Sequence, residues 1–141
     1  MKKIFLLLIF GLTLTSCNSK NEKSEFDIIG NWKGEDQQEI GYFTFNSDGF
    51  VIIEMEDGII GGKRFEKKGI PFSLHYKVEY KTEPKQIDLV FTNLDKGNQM
   101  TWNCIFEIIN EDKIKFTRGT NNAPRPIDFK SSETIILNRP K

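Results

Sequence analysis

Histidine is nearly absent from this chain and cysteine is scarce: His75 is the single histidine among 141 residues, and Cys17 and Cys104 are the two cysteines. A hydrolase built on a histidine base therefore has one candidate. His75 sits on the polar side of an alternating run beside Ser73 and Lys77, where it reads as solvated. No Gly-x-Ser-x-Gly elbow, metal-spaced group of Cys and His, or phosphate-cradling glycine loop before a helix occurs. On these grounds no enzyme, metal or cofactor is expected. Charge of one sign is lacking too, since twenty basic residues are interspersed with twenty acidic ones, and that leaves no basic footprint for nucleic acid. Past the first residues, no stretch repeats apolar residues at helical spacing for long, which argues against a helical body.

The long apolar run that does exist lies at the start. Met1-Lys2-Lys3, the apolar Ile4 to Leu12 and the small residues that follow make the three-part pattern of a secretory signal peptide, too short and wrongly flanked for a stable span. Leu14-Thr15-Ser16-Cys17 resembles the lipobox of bacterial lipoproteins, an aliphatic residue and two small ones before a cysteine. That resemblance implies cleavage before Cys17, a diacylglyceryl thioether on its sulfur and acylation of its new amino group. Each buried CH₂ contributes about 0.8 kcal/mol, so two or more chains turn marginal adsorption into stable anchoring. An ordinary leader cut nearby, with Cys17 a chance cysteine, is the alternative.

The expected organisation is a signal peptide over 1–16, a lipidated Cys17 with a polar tether over 17–25, and one domain over 26–141. The protein is accordingly expected in the cell envelope, held to a membrane through Cys17 and facing the periplasm or the surface. Asn18 to Glu25 shows no apolar stripe, and its typical reach is about 15 Å. The 125 residues from Cys17 onward suffice for one core but not comfortably for two, and carry a net charge of −2. With Cys17 lipidated, Cys104 has no disulfide partner within the chain. Its place among Met100, Trp102, Phe106 and Ile108 reads as a small buried apolar side chain.

From Phe26 the chain is rich in Phe, Ile, Tyr and Val and is cut at short intervals by Gly, Asn, Asp and Pro, the all-β signature. Strands are predicted over Ile28 to Lys33, Ile40 to Phe45 and Phe50 to Met55, the last two joined by a turn in which Gly49 takes positive φ. Phe72 to Tyr80 alternates without a break, with Phe72, Leu74, Tyr76, Val78 and Tyr80 on one face. Ile87 to Thr92, Gln99 to Ile108, Lys113 to Thr117 and Glu133 to Asn138 complete about eight strands, at the spacing of a sandwich or an antiparallel up-and-down barrel. Two stretches, Gly58 to Gly69 and Gly119 to Ser132, read as long loops at one or other end. Glu54 and Glu56 share a strand face but sit beside Asp57 at a turn, so a solvated edge is favoured over a cation site.

Gly30-Asn31-Trp32, Pro84-Lys85-Gln86-Ile87-Asp88-Leu89 and the closing run from Asp112 to Lys141 resemble the small bacterial lipocalin-like domains, exported proteins and lipoproteins largely without an assigned activity. The resemblance implies a calyx-shaped barrel closed at one end by Trp32. An arginine from the far end of the chain would lie across that ring: Arg139, or as second choice Arg125, with plain packing of Trp32 as the alternative. By alternation, Phe43, Phe45, Tyr76, Leu89, Trp102 and Phe106 are the candidate ligand-lining side chains, though a register slip of one residue would reverse them all. A barrel of eight strands is just wide enough for its own side chains or one small ligand. Two readings of function follow, a membrane-anchored module binding a small apolar ligand, and a filled barrel that contacts or inhibits a protein partner in the envelope.

Overall fold

The computed structural model describes residues 25–35 and 40–141; the leader, Cys17 and the stretch to residue 24 lie outside the described residues. The body is an all-β, closed antiparallel barrel of nine strands: β1 (Gly30–Gly34), β2 (Ile40–Phe45), β3 (Val51–Met55), β4 (Gly58–Lys67), β5 (Ile70–Glu79), β6 (Lys85–Asn93), β7 (Gln99–Asn110), β8 (Lys113–Thr117) and β9 (Thr134–Asn138). Each pairs with its sequence neighbours, and β9 closes the ring on β1 through Lys33 opposite Asn138 and Gly34 opposite Leu137. The hairpin of β2 and β3 forms as its turn chemistry predicts. Gly49 has φ 87°, its N–H donates to the Asn46 carbonyl at 3.1 Å, and the Asp48 carboxylate accepts from the Phe50 N–H.

The stretch read as a glycine-rich loop, Gly58 to Gly69, is corrected by the structure: it forms β4 and the turn after it. The apolar residues Ile59, Ile60 and Phe65 suit a strand, and the glycines serve to bend it. Gly58 to Gly61 pairs with β3, whereas Gly62 to Lys67 pairs with β5. Strict alternation over nine strands would set β9 parallel to β1, yet the two are antiparallel, so one strand must reverse. β4 does so at Gly61 and Gly62, whose φ values are 116° and 78°. At that corner β3 and β5 meet directly, through an antiparallel bridge of Phe50 to His75 and a bond from the Tyr76 N–H to the Gly49 carbonyl at 2.9 Å. A Cβ on Gly61 would run into the Val51 carbonyl, so glycine is needed there for space as well as for φ. Eight strands and one bent one therefore close the ring.

Gly119 to Ser132 remains irregular apart from a bridge of Asn121 to Trp102. Instead of hanging off an end, as expected, part of it lies along the outer face of β6 and β7. The Asn103 side chain donates to the Ala123 carbonyl, and Arg125 donates to the Cys104 carbonyl at 2.8 Å and to the Asp88 carboxylate at 2.7 Å. Ile105 and Thr117, which pair on the outward side of the neighbouring β7 and β8, are fully buried as well, and the Thr117 hydroxyl is bonded to that of Thr134 at 2.7 Å.

Cross-strand pairs share a face, so the register defines the interior: Trp32 lies opposite Phe43, Ile53 opposite Phe43 and Ile60, Leu89 opposite Tyr76 and Trp102, and Phe106 opposite Phe116. Through the middle of the barrel Phe43, Ile53, Leu74, Leu89, Cys104, Phe116 and Leu137 are fully buried. Each such large apolar side chain contributes about 1.5–3 kcal/mol by leaving water. The aromatic rings meet one another as well, Phe43 on Phe45 at 5.7 Å, Phe43 on Phe116 at 5.3 Å and Phe45 edge-on to Tyr76 at 5.0 Å.

Candidate functional site

The two ends of the barrel differ. At the end where the described chain enters, residues 26–29 cross the opening and are tied down. Phe26 packs on Trp32, Tyr80 and Phe106 at 6.0 to 6.4 Å, and Ile28 is buried. The Trp32 indole donates to the Ile28 carbonyl at 2.7 Å, while the Ile28 N–H donates to the Tyr80 hydroxyl at 3.2 Å. Arg139 lies over this plug with its guanidinium 4.2 Å from the centre of the Trp32 ring. It donates to the carbonyls of Ile29 at 2.8 Å, Glu111 at 3.0 Å and Asp27. Arg125, the second choice for that contact, is engaged elsewhere with Asp88.

At the opposite end nothing comparable crosses the interior among the described residues. Met55, Ile60, Phe65, Met100, Trp102 and Ile135 pack on the core yet stay only partly buried. Register turns them inward: Met55 and Ile60 follow Ile53, Phe65 is opposite Phe72, Met100 and Trp102 are opposite Phe91 and Leu89, and Ile135 is opposite Phe116. The rings continue one another, with Phe65 6.4 Å from Phe91 and Phe91 4.8 Å from Trp102.

Polar groups gather on one side of this rim. The Trp102 indole donates to the Asn121 side chain at 2.6 Å, the Arg118 guanidinium lies 5.1 Å from the Trp102 ring, and Arg118 pairs with Glu133 at 2.5 Å. Trp102, Arg118, Gly119, Thr120 and Asn121 line an open cleft of about 320 Å³. No family model, no curated protein and no solved structure matches this chain. The chemistry of the site therefore has to be taken from its own geometry: an apolar floor of rings and thioethers beside a guanidinium, an amide and a hydroxyl. Such a surface suits a small apolar body with a polar edge.

The six side chains chosen by alternation all belong to the core or pack on it, but they lie at different depths. Phe43, Phe45, Leu89 and Phe106 are in the fully buried body, Tyr76 spends its hydroxyl on the Asn46 carbonyl at 2.7 Å, and Trp102 stands at the rim. Met100 follows from the same alternation, two positions before Trp102, whereas Met55 and Ile135 lie on predicted strands that carry none of the six. Ile60 and Phe65 did not follow from it, because their stretch carried a loop pattern.

The groups weighed for chemistry are dispersed. His75 is partly buried on β5 beside Phe50, and burial, helped by the charge of Lys77, lowers its pKa. Cys104 is buried, its sulfur accepts from the Gly119 N–H at 3.4 Å, and desolvation pushes its thiol up to about 12. Glu54 and Glu56 are exposed, and among the described residues no three His, Cys, Asp or Glu side chains form a metal-binding group.

Proposed function

We propose that the chain is an envelope lipoprotein, held to a membrane through Cys17, whose lipocalin-like barrel accepts a small apolar ligand at the Trp102 end. The observation that carries this reading is the contrast between the ends. One is plugged by Phe26, Trp32 and Arg139, while the other presents inward-facing apolar side chains that keep part of their surface in water. Completing the burial of such side chains is what drives an apolar ligand in. The buried middle, from Phe43 to Leu137, limits the ligand to the outer layer, so a ring or the end of a chain fits this site better than a long lipid drawn deep inside. The reading assigns no catalysis.

The full-length chain titrated with environment-sensitive apolar probes tests it. Saturable binding that changes Trp102 emission, and that weakens about tenfold in Trp102→Ala, is the expected result. Binding indifferent to Trp102, or none, would argue for the second reading, a filled barrel used for protein contact, which the buried middle and the 65% exposure of Ile59 favour. The anchor is checked separately: Cys17→Ala should leave the membrane fraction, and its retention there would refute lipidation.

A further inference from the structure

β4 is a ten-residue strand with no buried residue, whereas every other strand buries at least one. Among the described residues its first half is bonded to β3 alone and its second half to β5 alone. Because the strand turns back at Gly61 and Gly62, the two edges left over face one another across a notch that widens from that corner toward the Trp102 end. A strand edge presents N–H and C=O groups at strand spacing, and an extended chain is what satisfies them. Edges are commonly blunted by charge or proline. The second half carries Lys63, Arg64 and Lys67, but Gly58-Ile59-Ile60-Gly61 has neither device.

We propose that this notch is a docking site for an extended segment of a partner protein, which adds as a strand along Gly58 to Gly61. Its composition follows from what lines the notch. Side chains turned inward would rest on Ile60 and Phe65, both partly buried members of the core wall, and must be apolar. Side chains turned outward would pass Ile59, which has Glu54 on its other side, and across the notch the exposed Lys63 and Arg64, which lie only loosely against Asp48 at 3.7 Å and Glu66 at 3.6 Å. Carboxylates suit those positions. The occupant is thus a strand alternating apolar and acidic residues. Main-chain bonding supplies affinity, and the alternation supplies selection. Ile60 and Phe65 also belong to the rim of the Trp102 end, so the docked strand and an apolar ligand there would share those two side chains, whereas the main-chain edge of Gly58 to Gly61 serves the strand alone.

The test uses the full-length chain and a short fluorescent peptide of alternating valine and glutamate. Saturable binding is expected, with slowed amide exchange confined to residues 58–67 and an affinity about tenfold lower in Ile59→Asp. Ile59 is 65% exposed, so that variant should unfold at the same temperature as the parent. Absence of binding up to about 1 mM would overturn the proposal. So would equal binding of a peptide interrupted by prolines, which cannot pair, or exchange slowed only outside β4.

Discussion

Arg139 reaches the Ile29 carbonyl across 110 positions of chain, at 2.8 Å, while its guanidinium carbon lies over the Trp32 ring, 4.2 Å from the ring centre. One planar cation thereby joins the last strand, the turn after β7 and the segment entering β1. Gly30 permits the approach, since a Cβ there would stand 2.7 Å from the Arg139 Nη1.

Replacing Arg139 with alanine removes the stacked cation and strands the carbonyls it serves. A loss of about 2–4 kcal/mol is expected in urea unfolding. Arg139→Lys should recover less than half of it, because an ammonium cannot fork to several carbonyls while lying on a ring. Equal stability of the lysine variant and the parent would show that charge alone holds the plug.

At the β4 corner, Gly61→Ala meets both a φ of 116° and the Val51 carbonyl, and is expected to cost about 3 kcal/mol or more. Gly49→Ala, with φ 87° and open space around its Cβ, should cost only about 1–2 kcal/mol. The comparison separates steric closure of the corner from φ strain, and the denaturation midpoints of the two variants measure it.

Cys104 should resist thiol reagents in the native state at pH 8 and react fully once unfolded, because its thiol is held up to about 12. Burial raises the folded value, so the unfolded state loses its proton first, from about pH 9. Stability is therefore lost progressively between about pH 9 and pH 12, at a slope of up to about 1.4 kcal/mol per pH unit. Cys104→Ala should lack this contribution, and unfolding curves of the two proteins at pH 8 and pH 10 test the difference.

For His75 the sign is opposite. Burial and Lys77 lower the folded pKa, so below its ordinary 6.5 the unfolded state binds the extra proton. Acidification from pH 7 toward pH 5 should destabilise the parent more than His75→Gln, as read from thermal unfolding at the two pH values.

Much of the barrel was legible because β structure declares itself locally where one face is buried. The alternation of Phe72 to Tyr80 and the Asn46-Ser47-Asp48-Gly49 turn both predicted strands that formed. β4 escaped because a bent strand needs glycines where a loop also carries them, at Gly58, Gly61 and Gly62. Likewise the rim could be read only in part. Trp102 follows from its own strand, but Ile60 and Phe65 join it through pairings with Ile53 and Phe72 that no local pattern specifies.

By itself, then, the amino-acid order determined an all-β body, most of its strands and which side chains of each strand share a face, since these depend on neighbours one or two positions apart. Tertiary structure alone decided that residues 26–29 fill the end marked by Trp32, where the wall turns back and which apolar residues remain in contact with water. Those outcomes depend on the register between strands and on Arg139 meeting Ile29 and Trp32, contacts between residues far apart in the chain that exist only once the ring has closed.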